Sequence, residues 1–169
     1  MEPPELDAGA ILSALEKHGV QFVLIGGLAA IVRGSPFPTE DLDLTPEASR
    51  ENLGRLSAAL RELDAKVRSA EVDEALPFGH DADSLSAVRV WNLVTPHGVL
   101  DVSLVPTGTE GYPDLVRDAG DFALFGVTVK VASLADIIRS KQAANRPKDQ
   151  RVLPTLREIL ARRMAGNGG

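Results

Sequence analysis

The run from Val23 to Leu44 limits the fold of this chain more than any other part. Val23-Leu24-Ile25 leads directly into Gly26-Gly27 and Leu28-Ala29-Ala30-Ile31-Val32, and after a loop with two prolines the chain reads Asp41-Leu42-Asp43-Leu44. A strand over 21–25, a glycine turn and a short helix over 28–32 leave backbone N–H groups free at the helix start, where anions bind. Gly26 and Gly27 allow such an anion to come close to the backbone. The stretch 34–38 is a loop, because neither Pro36 nor Pro38 can donate to a ladder. Side chains alternate along the strand 41–44, so Asp41 and Asp43 share one face while Leu42 and Leu44 face the core. Two carboxylates this close repel unless they hold cations. Mg²⁺ commonly takes one or two carboxylates and completes its shell with water and phosphate oxygens. Either half alone also fits an ordinary strand-to-helix turn or a solvated edge strand; the two together, in this order, point to a phosphate and metal site.

The run resembles the signature of the DNA polymerase β nucleotidyltransferase superfamily, in which an apolar strand and Gly-Gly or Gly-Ser precede Asp-x-Asp. The resemblance implies a third carboxylate on a neighbouring strand. Asp101 fits that place, because Leu100, Val102 and Leu104 alternate inward and leave Asp101 on the opposite face with Val99 and Ser103. The implied fold is α/β (α+β), a polymerase β-like mixed sheet packed with helices plus a C-terminal helix pair. One nucleotidyltransferase domain is expected over 1–169, with core motifs in 20–105 and the helical part in 133–164.

The remaining punctuation agrees with that expectation. Asp7 caps a helix from Ala8 to His18 that Gly19 stops, and Leu53, Leu56, Leu60 and Leu63 recur at helical spacing after Pro46, where a helix is expected to begin. Val67 begins a short strand, and residues 69–86 read as a polar loop or variable insertion. Pro96-His97-Gly98 joins the strands 88–95 and 99–105, and Gly126 joins 122–125 to 127–131. Trp91, on an alternating strand, is expected in the core. Ser133 caps a helix from Leu134 to about Asn145, and a last helix bends near Pro154 and ends before Gly166.

The net charge of −6 argues against a general nucleic-acid coat protein, but it is unevenly spread. Residues 139–163 hold eight basic side chains against Asp149 and Glu158, which puts +6 on this segment and −12 on the rest. A local positive surface suits a triphosphate or an RNA end, and the outermost arginines read as a solvated helix face. With no cysteine, thiolate metal sites and disulfides are excluded. The acidic N-terminus lacks the features of a signal peptide, and no apolar run approaches the roughly 20 residues that span a bilayer, so a soluble, cytoplasmic protein is expected.

Residues 134–154, with Lys141 followed by Arg146-Pro147-Lys148-Asp149, look like the third and fourth motifs of AbiEii/MenT-type toxin nucleotidyltransferases. That resemblance implies Mg²⁺ as a two-metal site on Asp41, Asp43 and Asp101, with an NTP substrate, CTP or UTP favoured. It further implies Lys141 on the triphosphate, Asp149 as a fourth functional acid that orients Lys141 or the incoming hydroxyl, and Gly26, Gly27, Ser35 and Thr39 as nucleotide contacts. Arg33 and Phe37 stand where many relatives carry a histidine and an arginine, and Arg33 is expected to reach the same phosphate space. The implied acceptor is the 3′ end of tRNA and the implied partner a cognate antitoxin, with Thr39 as a possible regulatory phosphorylation site. Transfer to an antibiotic or a protein, an AMP-transferring antitoxin, and a non-catalytic binding protein with this fold are the alternatives.

Overall fold

The computed structural model describes residues 2–69, 72–76 and 79–167. The chain runs through α1 (Ala8–Lys17), β1 (Phe22–Ile25), α2 (Gly26–Val32), β2 (Asp41–Pro46), α3 (Arg50–Glu62), β3 (Lys66–Ser69), β4 (Val72–Leu76) and α4 (Ala82–Ser86). It continues through β5 (Val90–Thr95), β6 (Gly98–Ser103), α5 (Tyr112–Leu115), β7 (Gly120–Leu124), β8 (Val127–Val131), α6 (Leu134–Ala144) and α7 (Pro147–Asn167). The strands form one mixed sheet in the order β4-β3-β5-β6-β2-β1-β8-β7. β2 lies antiparallel to β1 and parallel to β6, so the centre of the sheet brings together segments far apart in sequence. Among the described residues no helix is long and apolar enough to cross a membrane.

The local signals explain most boundaries. The Asp7 side chain accepts from Ala10 N, Ser49 from Asn52 N and Ser133 from Asp136 N, each satisfying a helix-start N–H that has no partner within its helix. Leu53, Leu56 and Leu60 of α3 pack with Ile11, Leu12 and Leu15 of α1 in the core that also takes Leu42, Leu44, Leu93 and Leu100 from the sheet. Trp91 is half-buried against that core and donates Nε1–H to Leu85 O.

Three expectations are corrected. Pro46 does not open α3; it is the buried last residue of β2, and Ser49 supplies the cap three residues later. Residues 69–86 are not simply a loop, although 70, 71, 77 and 78 lie outside the described residues. β4 pairs with β3 across a register shift, and Asp81 and Ser84 form a reciprocal capping box on α4. Edge strands half open to water lack the apolar alternation by which strands are read. Finally, α7 continues past Gly166 to Asn167.

Candidate active site

The sheet and the α6–α7 pair enclose a cleft of about 610 Å³, large enough for a nucleotide. Its floor is the carboxylate-bearing face of β2 and β6. The Cα partners in this parallel pair include Asp43 with Asp101, and Asp41 lies two residues before Asp43 on the same face. Leu42, Leu44, Leu100 and Val102 are buried on the other face, as the alternation predicts, although Val99 is buried too. Burial, reinforced by the charges of Asp101 and Asp41, pushes the Asp43 carboxyl up to about 7 against the opposing pull of Lys148 and Lys141. Burial also raises Asp101, while Arg68, whose Nη2 lies 3.4 Å from Asp101 Oδ1, pulls it back down.

The glycine turn forms one wall. α2 begins at Gly26, earlier than expected, behind an N-cap, Ile25, that makes no side-chain cap hydrogen bond. Gly26 sits at φ +72, and a Cβ there would stand 2.7 Å from Asp43 Cγ; one on Gly27 would stand 2.7 Å from Thr39 Oγ1. The missing side chains therefore do more than admit a ligand, because they let Asp43 and Thr39 pack against the turn itself. Thr39 Oγ1 donates to Asp41 O (3.1 Å), and Ser35 Oγ accepts from Phe37 N (3.2 Å), so both hydroxyls are fixed at the cleft by their own loop.

The opposite wall is cationic. Lys141, half-buried on α6, lines the cleft with Arg146 and Lys148. Asp149 does not line it. Wholly buried beneath, Asp149 accepts from Arg146 N (3.1 Å), Arg146 Nε (2.7 Å) and Arg146 Nη2 (3.2 Å), and its Oδ1 lies 3.6 Å from Lys141 Nζ. Burial acts to raise the Asp149 carboxyl, but these Arg146 hydrogen bonds and the two cations outweigh it and hold it low. Burial likewise lowers the Lys141 ammonium, with Asp149 opposing. Asp149 thus pairs with Lys141 and Arg146 from behind the cleft lining.

Gly26, Gly27, Ser35, Thr39, Asp41, Asp43, Asp101 and Lys141 therefore meet in one place. Arg33 does not join them. Its Nε and Nη2 donate to Ala132 O and Val131 O (both 3.1 Å), and its guanidinium lies 4.7 Å from the centre of the Phe122 ring, on the β7–β8 side. Two bonds to backbone and an aromatic face outcompete solvent-exposed reach toward the cleft. Sequence reading missed Asn92 and Asp136, both at the cleft. The hairpin at 96–98 fixes Asn92 opposite Asp101 and was the available signal.

The donor set suits a hard divalent cation. Three carboxylates, with Asp43 and Asp101 raised by burial and by like-charged neighbours, face a cleft with a glycine turn alongside. Among the described residues no group of three or more acidic, histidine or cysteine side chains is arranged to hold a metal ion. A cation here would take a pair of these carboxylates, with water and phosphate filling its remaining positions, as Mg²⁺ commonly does.

No protein-family model matches the sequence, and no curated protein matches it. Among solved structures, lincosamide antibiotic adenylyltransferase LnuA, lincomycin-bound, aligns with a TM-score of 0.60 at 14% identity, over 92% of this chain and 99% of that one. The antibiotic-resistance factor ANT(2″)-Ia aligns at 0.53 and 18% identity, over 94% and 91%. An antigenic nucleotidyltransferase-like protein from Paracoccidioides brasiliensis aligns at 0.50 and 16% identity, over 92% and 78%. The chain has the polymerase β-like nucleotidyltransferase fold.

Proposed function

We propose that the protein is a divalent-metal-dependent nucleotidyltransferase, moving a nucleoside monophosphate from an NTP to an acceptor hydroxyl. The observation that carries this is the convergence, in one cleft, of Asp41, Asp43 and Asp101 on the sheet with Lys141 on α6, Lys148 on α7 and Arg146 on the link between them opposite. A cation bound by these carboxylates supplies Lewis-acid stabilisation of the attacking and leaving oxygens. Lys141, steadied by Asp149, holds the triphosphate with Lys148 and Arg146 and neutralises the departing pyrophosphate. Ser35 and Thr39 hydroxyls and the turn at Gly26 and Gly27 bind the phosphates from the other wall. The acceptor oxygen forms the new bond to the α-phosphorus as the bond to the β-phosphate bridge breaks. Asp101 receives the acceptor proton.

The acceptor in this reading is the 3′ end of tRNA, with CTP or UTP as donor and Mg²⁺ as the metal, and the protein is the toxin of a pair with a cognate antitoxin in the cytoplasm. Support comes from the Lys141 and Arg146-Pro147-Lys148-Asp149 segment and from its basic surroundings. Thr39, set at the cleft, is where a phosphate added by a partner would occupy nucleotide space. The second reading, adenylyl transfer to an antibiotic, is favoured by the fold's likeness to LnuA and ANT(2″)-Ia. Incubation with Mg²⁺, each α-labelled NTP in turn, and either total tRNA, lincomycin or tobramycin separates them. Label at the tRNA 3′ end supports the first; labelled drug with unlabelled tRNA overturns it in favour of the second; no label on any acceptor sinks both.

A further inference from the structure

A row of side chains crosses the cleft face of the sheet. The register pairs Asp43 with Asp101 and Asp101 with Asn92. Lys66 lies opposite Val94 and Val67 opposite Leu93, and Arg68, the next residue of β3, reaches the cleft face with its Nη2 3.4 Å from Asp101 Oδ1. Leu42, Leu44, Leu93 and Leu100 take the alternate positions and are fully buried on the other face. Asp43, Asp101, Asn92 and Arg68 therefore stand side by side on four adjoining strands, β2, β6, β5 and β3.

The row has a direction. The glycine turn flanks its Asp43 end, and the cations acting on Asp43, Lys141 and Lys148, come from the helices above. That end suits the NTP phosphates. Arg68 is at the other end, beyond Asp101, with its side chain 41% exposed and reaching over β5 to the Asp101 carboxylate. It is a cation of the acceptor side that comes from the sheet, whereas Lys148, which acts on Asp43 and Asp101 alike, comes from the helices.

We infer that Arg68, with Asn92, forms the acceptor subsite and binds the phosphodiester that precedes the acceptor hydroxyl at an RNA 3′ end; this rests on the nucleotidyl-transfer reading above. A guanidinium matches a phosphate through two parallel N–H donors, and an Asn side chain offers both a donor and an acceptor to a ribose hydroxyl or base edge. A cationic acceptor such as an aminoglycoside would meet Arg68 as a like charge. The ion pair with Asp101 adds an order of events. While Asp101 is free of a cation, it holds Arg68; once Asp101 is a metal ligand, Arg68 loses its partner and is released toward an anion. RNA binding should therefore strengthen when divalent cation and nucleotide are already in place.

The test uses the full chain with Arg68→Gln and Arg68→Lys, and a short 5′-fluorescein-labelled RNA with a free 3′ end. RNA anisotropy is read with a non-hydrolysable NTP in Mg²⁺ or in EDTA across a salt series, and NTP binding is read separately by calorimetry. In Mg²⁺, Arg68→Gln should weaken RNA binding roughly tenfold, the size of one lost charge-assisted contact. It should also reduce the slope of log K against log salt by about 0.7, as loss of one single-strand phosphate contact requires. Arg68→Lys should keep the slope, EDTA should shrink the difference between wild type and Arg68→Gln, and NTP affinity should be the same in all three. RNA affinity and slope unchanged in Arg68→Gln, with NTP binding intact, overturn the arginine assignment alone. Wild-type protein that binds no NTP in Mg²⁺ overturns the nucleotidyl-transfer reading and this subsite with it.

Discussion

Replacing Asp43 by Asn should stabilise the metal-free protein at neutral pH while removing its function. The Asp43 carboxyl is pushed from an ordinary 3.8 up to about 7 by burial and by Asp101 and Asp41. A raised native value means that the folded state holds the proton more tightly than the unfolded chain. Below about pH 4 both states are protonated and the group costs nothing. As pH rises from there, the unfolded chain ionises first, and stability falls by about 1.4 kcal/mol per unit until the native carboxyl ionises near 7. Across roughly three units the loss reaches at most ~4 kcal/mol, and an Asn, which does not titrate, avoids it. Urea unfolding in EDTA from pH 4 to 8 reads this directly: the two proteins should agree near pH 4 and diverge through the window, with the Asn variant more stable above pH 7. Saturating Mg²⁺ at pH 8 should narrow the gap, because a ligand of the native state adds stability to wild type. An Asn variant no more stable than wild type at pH 8 in EDTA would refute the account of Asp43 as a destabilised, uncompensated carboxylate.

Gly26→Ala should cost ~1–2 kcal/mol for its left-handed backbone alone and displace Asp43, abolishing transfer, since a Cβ there stands 2.7 Å from Asp43 Cγ. Gly54→Ala, mid-helix in α3 with open space around it, should instead stabilise by ~0.5–1 kcal/mol, and thermal unfolding of the pair checks the contrast. Asp41→Ala and Asp43→Ala should each lose transfer by several powers of ten with an unchanged circular dichroism spectrum; turnover at the wild-type rate in either would remove that residue from the metal site. Asp149→Ala leaves Lys141 and Arg146 without their buried partner, so it should destabilise by ~3 kcal/mol and raise KM for NTP together. Lys141→Ala should raise KM and lower kcat while Arg162→Ala, whose exposed side chain pairs with Glu158, changes neither; like behaviour of the two would mean a diffuse field in place of a placed lysine.

What was legible in the sequence was local. Period-two alternation put Asp41, Asp43 and Asp101 on one face of their strands, and cap residues Asp7 and Ser133 marked helix starts to within a residue. What was not legible needed partners distant in the chain. Arg33 looked free to reach phosphate because nothing near it in sequence reveals that the carbonyls of Val131 and Ala132 would take its donors. Nothing in the sequence singled out Arg68, since its place beside Asp101 exists only once β3, β5 and β6 are in register. The expected nearness of Asp149 to Lys141 appears as a 3.6 Å ion pair, but the complete burial of Asp149 follows from how α7 seats on α6.

Across the cleft, Asp41, Asp43 and Asp101 stand on the sheet, while Lys141, Arg146 and Lys148 belong to α6, α7 and the link between them. The attraction the cleft exerts on a polyanion is then governed by the gap between these two sides, and residues outside the cleft lining help set that gap. Ile138 and Leu153 do, because they are buried apolar side chains that seat the helix pair without lining the cleft. Trimming a methylene or two there lets the helices settle or lift by a fraction of an ångström. Such a change would retune anion capture with every functional group still present, so variation in this apolar seam is a route by which related chains can differ in nucleotide affinity while keeping identical motifs.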